Sequence, residues 1–301
     1  MTVAIELDAQ YRQLREECGL VERPDRGLLL VSGPEAAEYL QGQLTNDTDA
    51  IGPGEWIYAA LLDRKGHMQA DMRVLRPGEG PDLWLDIEPE GLTAAGRHLQ
   101  MYKIGREVEV KDESEGHTLL SLIGPRATEF ARAVESVSLR TDEGVDLVVP
   151  AAERDRVRDA LLAAGAVEVS PEAAEILRIE AGRPRFGAEM GTATMPAEAG
   201  IVERAVSFTK GCYIGQETVA RLHYKGKPNR HLRGLRLSGR AWPGDSVTIG
   251  EKEVGEVGSA AVSPALGPIG LAILRREAEP GATVAVGEDG VTAEVVAVPF
   301  G

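Results

Sequence analysis

One short pattern occurs twice in this chain, and the recurrence limits the possible folds more than any other feature. The apolar run Leu28 to Val31 meets Ser32-Gly33-Pro34 and passes into Glu35 to Leu44, where Tyr39, Leu40 and Leu44 keep helical spacing. The run Leu119 to Ile123, the pair Gly124-Pro125 and the segment from Arg126 onward repeat it, with Phe130 in the place of Tyr39. Each copy reads as a strand, a glycine turn and a helix opened by proline, because the first helical turn leaves its N–H groups unbonded and proline has none to lose. Two copies predict a duplicated unit and not a solenoid, which stacks many repeats.

Between the copies, Trp56 to Leu62 and His67 to Leu75 flank Asp63-Arg64-Lys65-Gly66. Aspartate first and glycine fourth suit a type I turn, so a hairpin is predicted. A period of two puts Met68, Ala70, Met72 and Val74 on one face of the second strand, and His67, Gln69, Asp71 and Arg73 on the other. Asp71 thus sits mid-strand on a polar face, either solvated and weakly paired with Arg73 or held there as a working acid. Leu83 to Ile87 reads as a strand, Gly91 to Tyr102 as a helix, and Glu107 to Lys111 as a strand. The segments His117 to Ile123, Pro125 to Val134, Val145 to Val149, Ala151 to Ala164 and Val167 to Val169 alternate strand and helix, and Pro171 to Ala181 reads as a helix. This alternation predicts an α+β architecture.

From Gly182 to Lys227 the composition turns to Gly, Pro, Arg and Glu with little periodicity, which predicts a long irregular segment. Long ordered loops in compact domains tend to carry function. From Gly234 onward short strands stand at turn spacing, punctuated by Pro243-Gly244-Asp245, Gly267-Pro268 and Pro280-Gly281. A small β-barrel or sandwich is the expectation.

A chain of 301 residues has room for two or three domains with buried cores. The net charge of -15 disfavours nucleic acid and anionic membranes as general partners, since an acidic surface repels both. Against that background, the span from Glu203 to Arg236 carries eight cations (Arg204, Lys210, Arg221, Lys225, Lys227, Arg230, Arg233 and Arg236) and two acids, Glu203 and Glu217. Such an island either pairs with acids elsewhere or receives an anion. A carboxylate-bearing ligand suits its guanidinium forks, and an RNA backbone is the competing partner. His223 and Tyr224 are too few aromatics for a run of stacked bases, so direct nucleic-acid binding ranks lower.

Cys18 and Cys212 are the only cysteines, with no C-x-x-C pair or Cys/His cluster, so neither a disulfide framework nor a structural metal site is expected. The first residues carry acids where a signal peptide has a basic region, and no apolar run approaches the ~18 residues of a membrane span. A reducing cytoplasm is the expected compartment.

The richest stretch chemically is Lys210-Gly211-Cys212-Tyr213-Ile214-Gly215-Gln216-Glu217, which gathers a cation, a thiol, a phenol, an amide and a carboxylate around two glycines. An ammonium two residues from a thiol lowers the thiol pKa, so Cys212 and Lys210 form a candidate nucleophile and its activator. Tyr213 and Gln216 are suited to stack on or hydrogen-bond a flat heterocycle, and Glu217 to pair with ring amidines or a neighbouring arginine. The plainer alternative is a Gly-Cys turn leading into a helix, with Cys212 packed as a small hydrophobe.

Lys210 to Glu217 resembles the signature of the YgfZ family, folate-binding proteins related to the aminomethyltransferase (T-protein) of glycine cleavage. The likeness extends through Gly182-Arg183-Pro184-Arg185-Phe186-Gly187, Met195-Pro196-Ala197-Glu198-Ala199-Gly200 and Arg221, and more weakly over most of the chain. It implies two interwoven α+β lobes of aminomethyltransferase type with a C-terminal β-barrel. The expected boundaries are a folate-binding region over 1–225 (one lobe 1–46 and 116–181, the other 47–115 and 182–225) and a barrel over 226–301.

The resemblance also implies a site. Asp71 matches the aspartate that lies against the folate in aminomethyltransferases, and Glu198 the glutamate that reads the pterin. Tyr213, Gln216, Glu217 and Arg221 border the pocket, and Arg230 is the candidate for the glutamyl tail. Tetrahydrofolate or a one-carbon derivative is the expected ligand. The implied function is an accessory protein for iron-sulfur cluster assembly or repair, with iron-sulfur enzymes or assembly proteins as partners and a reactive Cys212 beside the folate. The alternatives are a folate-dependent aminomethyl or one-carbon transferase, in which Asp71 does proton work, and a partner in tRNA modification.

Overall fold

The computed structural model describes residues 6–300. Both copies of the repeated pattern form a strand, a glycine turn and a helix, but Pro34 and Pro125 stand in the turn, two residues before helices that start at Ala36 and Ala127. Strand Gly27–Ser32 turns at Gly33 into helix Ala36–Gln43, and strand His117–Ile123 turns at Gly124 into helix Ala127–Ala131. The turns match in detail: the N–H of Ala36 donates to the Gly33 carbonyl and that of Ala127 to the Gly124 carbonyl, each at 3.1 Å. Both glycines have positive φ, 111° and 129°. A Cβ at either would strike a backbone carbonyl, that of Glu107 or that of Glu17, so only glycine fits the turn. Tyr39 and Phe130 are buried, 2% and 3% exposed.

Each copy is built into its own five-stranded sheet. One sheet runs Val167–Glu168, Gly19–Arg23, His117–Ile123, Gly144–Pro150, Val137–Arg140. The other runs Trp56–Leu62, Met68–Leu75, Leu83–Ile87, Gly27–Ser32, Glu109–Asp112. Strands 19–23 and 137–140 were not expected: they are short, and only their pairing with longer apolar strands marks them as β. By contacts the chain divides into two compact units. One takes residues up to Gln41, Asp47–Tyr58 and Met72–Ala174, and the other Gly42–Asn46, Ala59–Asp71 and the chain from Glu175.

The C-terminal part closes into a six-stranded antiparallel barrel, ordered Arg230–Leu237, Gly267–Arg275, Lys252–Ser263, Ser246–Ile249, Thr283–Val286, Val291–Val296 and back to the first. Closure removes the exposed edges that short strands would otherwise present. Leu235, Val247, Val257, Leu274 and Val295 fill the interior. The outer face is apolar too where helix Pro171–Glu180 lies against it, and there Ile179 packs on Leu232, Ile269 and Leu271.

The segment 182–227 departs from expectation. It is irregular as far as Gly215 apart from the short helix Val202–Ala205, but Gln216–Lys225 is a ten-residue helix. Val219 is its one buried residue, so no apolar stripe announces it in the sequence. The turn-then-helix alternative for the Gly-Cys stretch describes the backbone here.

Candidate functional site

The hairpin strand Met68–Leu75 buries Met68, Ala70, Met72 and Val74, as the period of two requires. Its other face is far from solvated, for Asp71 is only 7% exposed. Arg73 is committed elsewhere, to Asp86 through Nε at 2.6 Å and to Asp146. The hairpin is anchored where its turn enters the second strand. The Met68 N–H donates to the Thr194 carbonyl at 2.9 Å, and Gly66 packs against Thr218, which a Cβ there would meet at 3.0 Å.

Glu198 ends the tight turn Met195-Pro196-Ala197-Glu198, in which its N–H donates to the Met195 carbonyl at 2.9 Å and its Oε2 accepts the Met195 N–H at 3.0 Å. Glu198 is buried, with a relative exposure of 8%. Arg230 forks onto it, Nε to Oε1 at 2.9 Å and Nη2 to Oε2 at 2.8 Å, and Nη2 also donates to the Ala193 carbonyl at 2.6 Å. The Leu232 N–H donates to the Glu198 carbonyl at 2.8 Å, which fixes this turn to the first barrel strand. A bidentate arginine–carboxylate pair sets the plane of both groups as well as their separation.

The stretch from Arg204 to Gly215 is held by a three-residue strap, Leu44 to Asn46. Thr45, fully buried, donates its hydroxyl to the Ala205 carbonyl at 2.5 Å and accepts the Ala60 N–H at 2.9 Å. Lys210, 9% exposed, sends its ammonium to the carbonyls of Leu44 and Asn46 at 2.7 and 2.8 Å, and the same Nζ lies 5.2 Å from the centroid of the Tyr213 ring. Cys212 is an exposed free thiol. Tyr213 is buried, its hydroxyl has no hydrogen-bond partner among the described residues, and burial pushes its pKa up to about 12. Gly215 takes φ 85° and lies so close to the hairpin turn that a Cβ would meet the Asp63 carbonyl oxygen at 2.6 Å. The neighbouring helix then starts at Gln216, which is half-buried, with Glu217 exposed in its first turn.

The structure brings Glu198 and Arg221 to one cleft of 180 Å³, whose wall also holds Thr218, Leu222 and Lys227. Thr218, Arg221 and Leu222 share one face of helix Gln216–Lys225 by i, i+3, i+4 spacing. Reading that helix in the sequence would have found Thr218, and Lys227 just beyond its end was counted in the basic island without a role. Arg221 and Lys227 are exposed and make no ion pair among the described residues, whereas Arg230 is already matched by Glu198. Cys18 is fully buried and burial pushes its thiol up to about 12, which leaves it unreactive at neutral pH. Among the described residues no three His, Cys, Asp or Glu side chains gather as a metal site, and no helix is long and apolar enough to cross a membrane.

Comparison with known proteins matches this chain twice to the glycine cleavage T-protein: the GCVT N-terminal domain over residues 4–143 and the T-protein C-terminal barrel domain over 230–300. It is 30% identical to an aminomethyltransferase of Rubrobacter xylanophilus, over 98% of this chain and 86% of that protein. It is 28% identical to one of Listeria monocytogenes, over 98% and 89%. The crystal structure of the glycine cleavage system aminomethyltransferase T from Bartonella henselae shares the fold, with a TM-score of 0.86 at 22% identity, over 100% of this chain and 91% of that one. Sequence likeness along nearly the whole chain, two five-stranded sheets and a closed barrel together place this chain in the aminomethyltransferase (glycine cleavage T-protein) family.

Proposed function

We propose that this chain is a folate-dependent aminomethyl or one-carbon transferase. The observation that carries the reading is the burial of two carboxylates, Asp71 and Glu198, 7% and 8% exposed, at the positions the family resemblance gives to the folate. A buried carboxylate accepts N–H donors strongly because water competes little for it, and a pterin offers a row of such donors. The residues fit such a ligand. Glu198 takes donors from Arg230 Nε, Arg230 Nη2 and the Met195 N–H, so Oε1 retains a lone pair for one more. The buried Tyr213 hydroxyl has an unspent donor and acceptor.

Bound tetrahydrofolate would supply the nitrogens that take up the one-carbon unit. In this reading Asp71 orients or receives a proton at those nitrogens. Glu198 holds the pterin edge, and Arg230 keeps the Glu198 carboxylate in plane. The glutamyl tail is then assigned to the unpaired cations Arg221 and Lys227 at the 180 Å³ cleft. Lys210 fixes the loop through the Leu44 and Asn46 carbonyls and stands over the Tyr213 ring.

A second reading rests on one observation, the exposed thiol of Cys212 within the YgfZ-like signature. There the protein binds folate but acts as an accessory to iron-sulfur enzymes in a reducing cytoplasm. A single cysteine cannot ligate a cluster, so any contact is shared with a partner. The curated relatives' name favours the transferase.

The test measures tetrahydrofolate binding by calorimetry and one-carbon transfer from an aminomethyl donor. D71N is expected to bind folate and to lose about 100-fold or more in transfer rate, with C212A unchanged in both. A wild-type protein that binds folate but transfers nothing, while C212A lowers iron-sulfur enzyme activity in cells, supports the second reading. No folate binding at all removes both.

A further inference from the structure

A second, larger cleft lies on the outer face of the barrel, where strands Arg230–Leu237, Gly267–Arg275 and Lys252–Ser263 meet the loop 188–194. Its volume of 580 Å³ falls within the ~300–1,000 Å³ of small-molecule sites. The loop comes down onto the barrel at Gly258, where a Cβ would lie 2.8 to 3.2 Å from Glu189. Backbone alone thus floors the cleft at that point.

The charges around it are unevenly matched. Glu189 is neutralised by Arg178, Nη1 to Oε2 at 3.1 Å, and accepts the Arg185 N–H at 2.9 Å. Arg230 is matched by Glu198, but its Nη1 donates to no group among the described residues. Arg275 stands directly opposite Arg230 in the antiparallel register, is exposed, and makes no ion pair or side-chain hydrogen bond among the described residues. Like charges placed directly across a strand pair are destabilising unless something answers them. On the other side of strand Gly267–Arg275, Glu253 and Glu256 line the same cleft, both exposed and without an ion pair among the described residues. One cation at one rim thus faces two anions at the other, on strands spaced ~4.8 Å apart.

We infer that this cleft binds a small zwitterion of α-amino acid type, its carboxylate on Arg275 and the free Nη1 of Arg230, its ammonium on Glu253 and Glu256. A simple anion would meet the two glutamates, and a simple cation would meet Arg275, so only a ligand carrying both charges satisfies both rims. Of the apolar lining residues, Val254 and Met190 are buried, and half-buried Ile273 is the one that a ligand side chain can reach. This cleft is separate from the 180 Å³ cleft beside Glu198, and the two readings share the Arg230 guanidinium, which meets Glu198 through Nε and Nη2.

Calorimetric titration of the full chain with glycine and with L-leucine tests this, with acetate and methylammonium as the separate halves. At least one amino acid is expected to bind with a Kd below about 10 mM, about tenfold or more tighter than either half. R275Q and the double variant E253Q/E256Q are each expected to weaken that binding about tenfold or more, with R275K retaining part of it. All of these variants change exposed side chains and should melt like the wild type. Tetrahydrofolate, titrated separately, should bind the wild type and R275Q alike. Silence from both amino acids, acetate binding as tightly as glycine, or amino acid binding indifferent to R275Q overturns the proposal. Loss of folate affinity in R275Q would give the cleft to the folate and overturn it too. Failure of the wild type to bind folate sinks the transferase reading and leaves this one standing.

Discussion

Two clusters of buried charge, one in each compact unit, differ in whether their hydrogen-bonding capacity is used up. In the first, Asp86 is 3% exposed and accepts Arg26 Nε and Nη2 at 2.8 and 2.7 Å and Arg73 Nε at 2.6 Å. Arg26 goes on to Glu88, and Arg73 to Asp146. Burial works to raise the Asp86 carboxyl, but Arg26 and Arg73 outweigh it and hold it well below the usual carboxylate range. In the second, Glu198 is forked by an Arg230 side chain that is still 37% exposed, and the Tyr213 hydroxyl is buried with no partner among the described residues. A closed network serves the fold, because a buried ion pair offsets its desolvation only when its geometry is complete. An open one keeps hydrogen-bonding capacity, here the Tyr213 hydroxyl, that the fold does not use.

Breaking the closed cluster should have the largest effect. D86N leaves two guanidinium groups against a neutral amide and is expected to lose about 3 to 5 kcal/mol of stability at pH 7 in a urea melt. Because the folded-state pKa of Asp86 is depressed, its contribution is fully present above the ordinary carboxylate pKa of about 4 and fades as pH falls below it. The D86N penalty should therefore shrink between pH 7 and pH 3. An equal loss at both would show that the charge is not what holds this cluster together.

The open cluster should respond in affinity more than in stability. E198Q is expected to weaken tetrahydrofolate binding by about 2 kcal/mol or more, roughly thirtyfold in Kd, with little change in melting temperature because water reaches Arg230. A melting temperature that collapses in E198Q would make this pair structural like the first. Y213F sharpens the contrast by sign: removing an unpartnered buried hydroxyl should leave stability unchanged or raise it by about 1 kcal/mol, while folate affinity falls by a similar amount. A destabilised Y213F would mean that the hydroxyl already has a partner in solution. The smallest effect is expected of C212A, within about 0.5 kcal/mol in stability and without change in folate affinity, since an exposed side chain packs on little.

Much of the architecture was legible in the residues because it is written in local periodicity. The doubled strand-glycine-proline-helix unit, the hairpin turned at Asp63 to Gly66 and the short strands after Gly234 all declare themselves within a few neighbours. Helix Gln216–Lys225 did not, since a helix that buries Val219 alone has no stripe to read. Nor did the short strands Gly19–Arg23 and Val137–Arg140, which are strands by virtue of what they pair with.

The sequence by itself determined which chemical groups are available: a mid-strand acid at Asp71, a proline-turn acid at Glu198, and a thiol, ammonium and phenol within four residues. Only the tertiary structure decided their partners. Lys210 and Cys212 are neighbours in sequence, yet the ammonium is buried on the carbonyls of Leu44 and Asn46 and the thiol is exposed. Arg73 and Asp71 share a strand face, yet Arg73 answers Asp86 and Asp146. Arg230, an apparent free cation, is spoken for by Glu198. The reason is physical: periodicity is set by backbone geometry within a segment, whereas the partner of a charge depends on which distant backbone or side chain burial brings within about 3 Å.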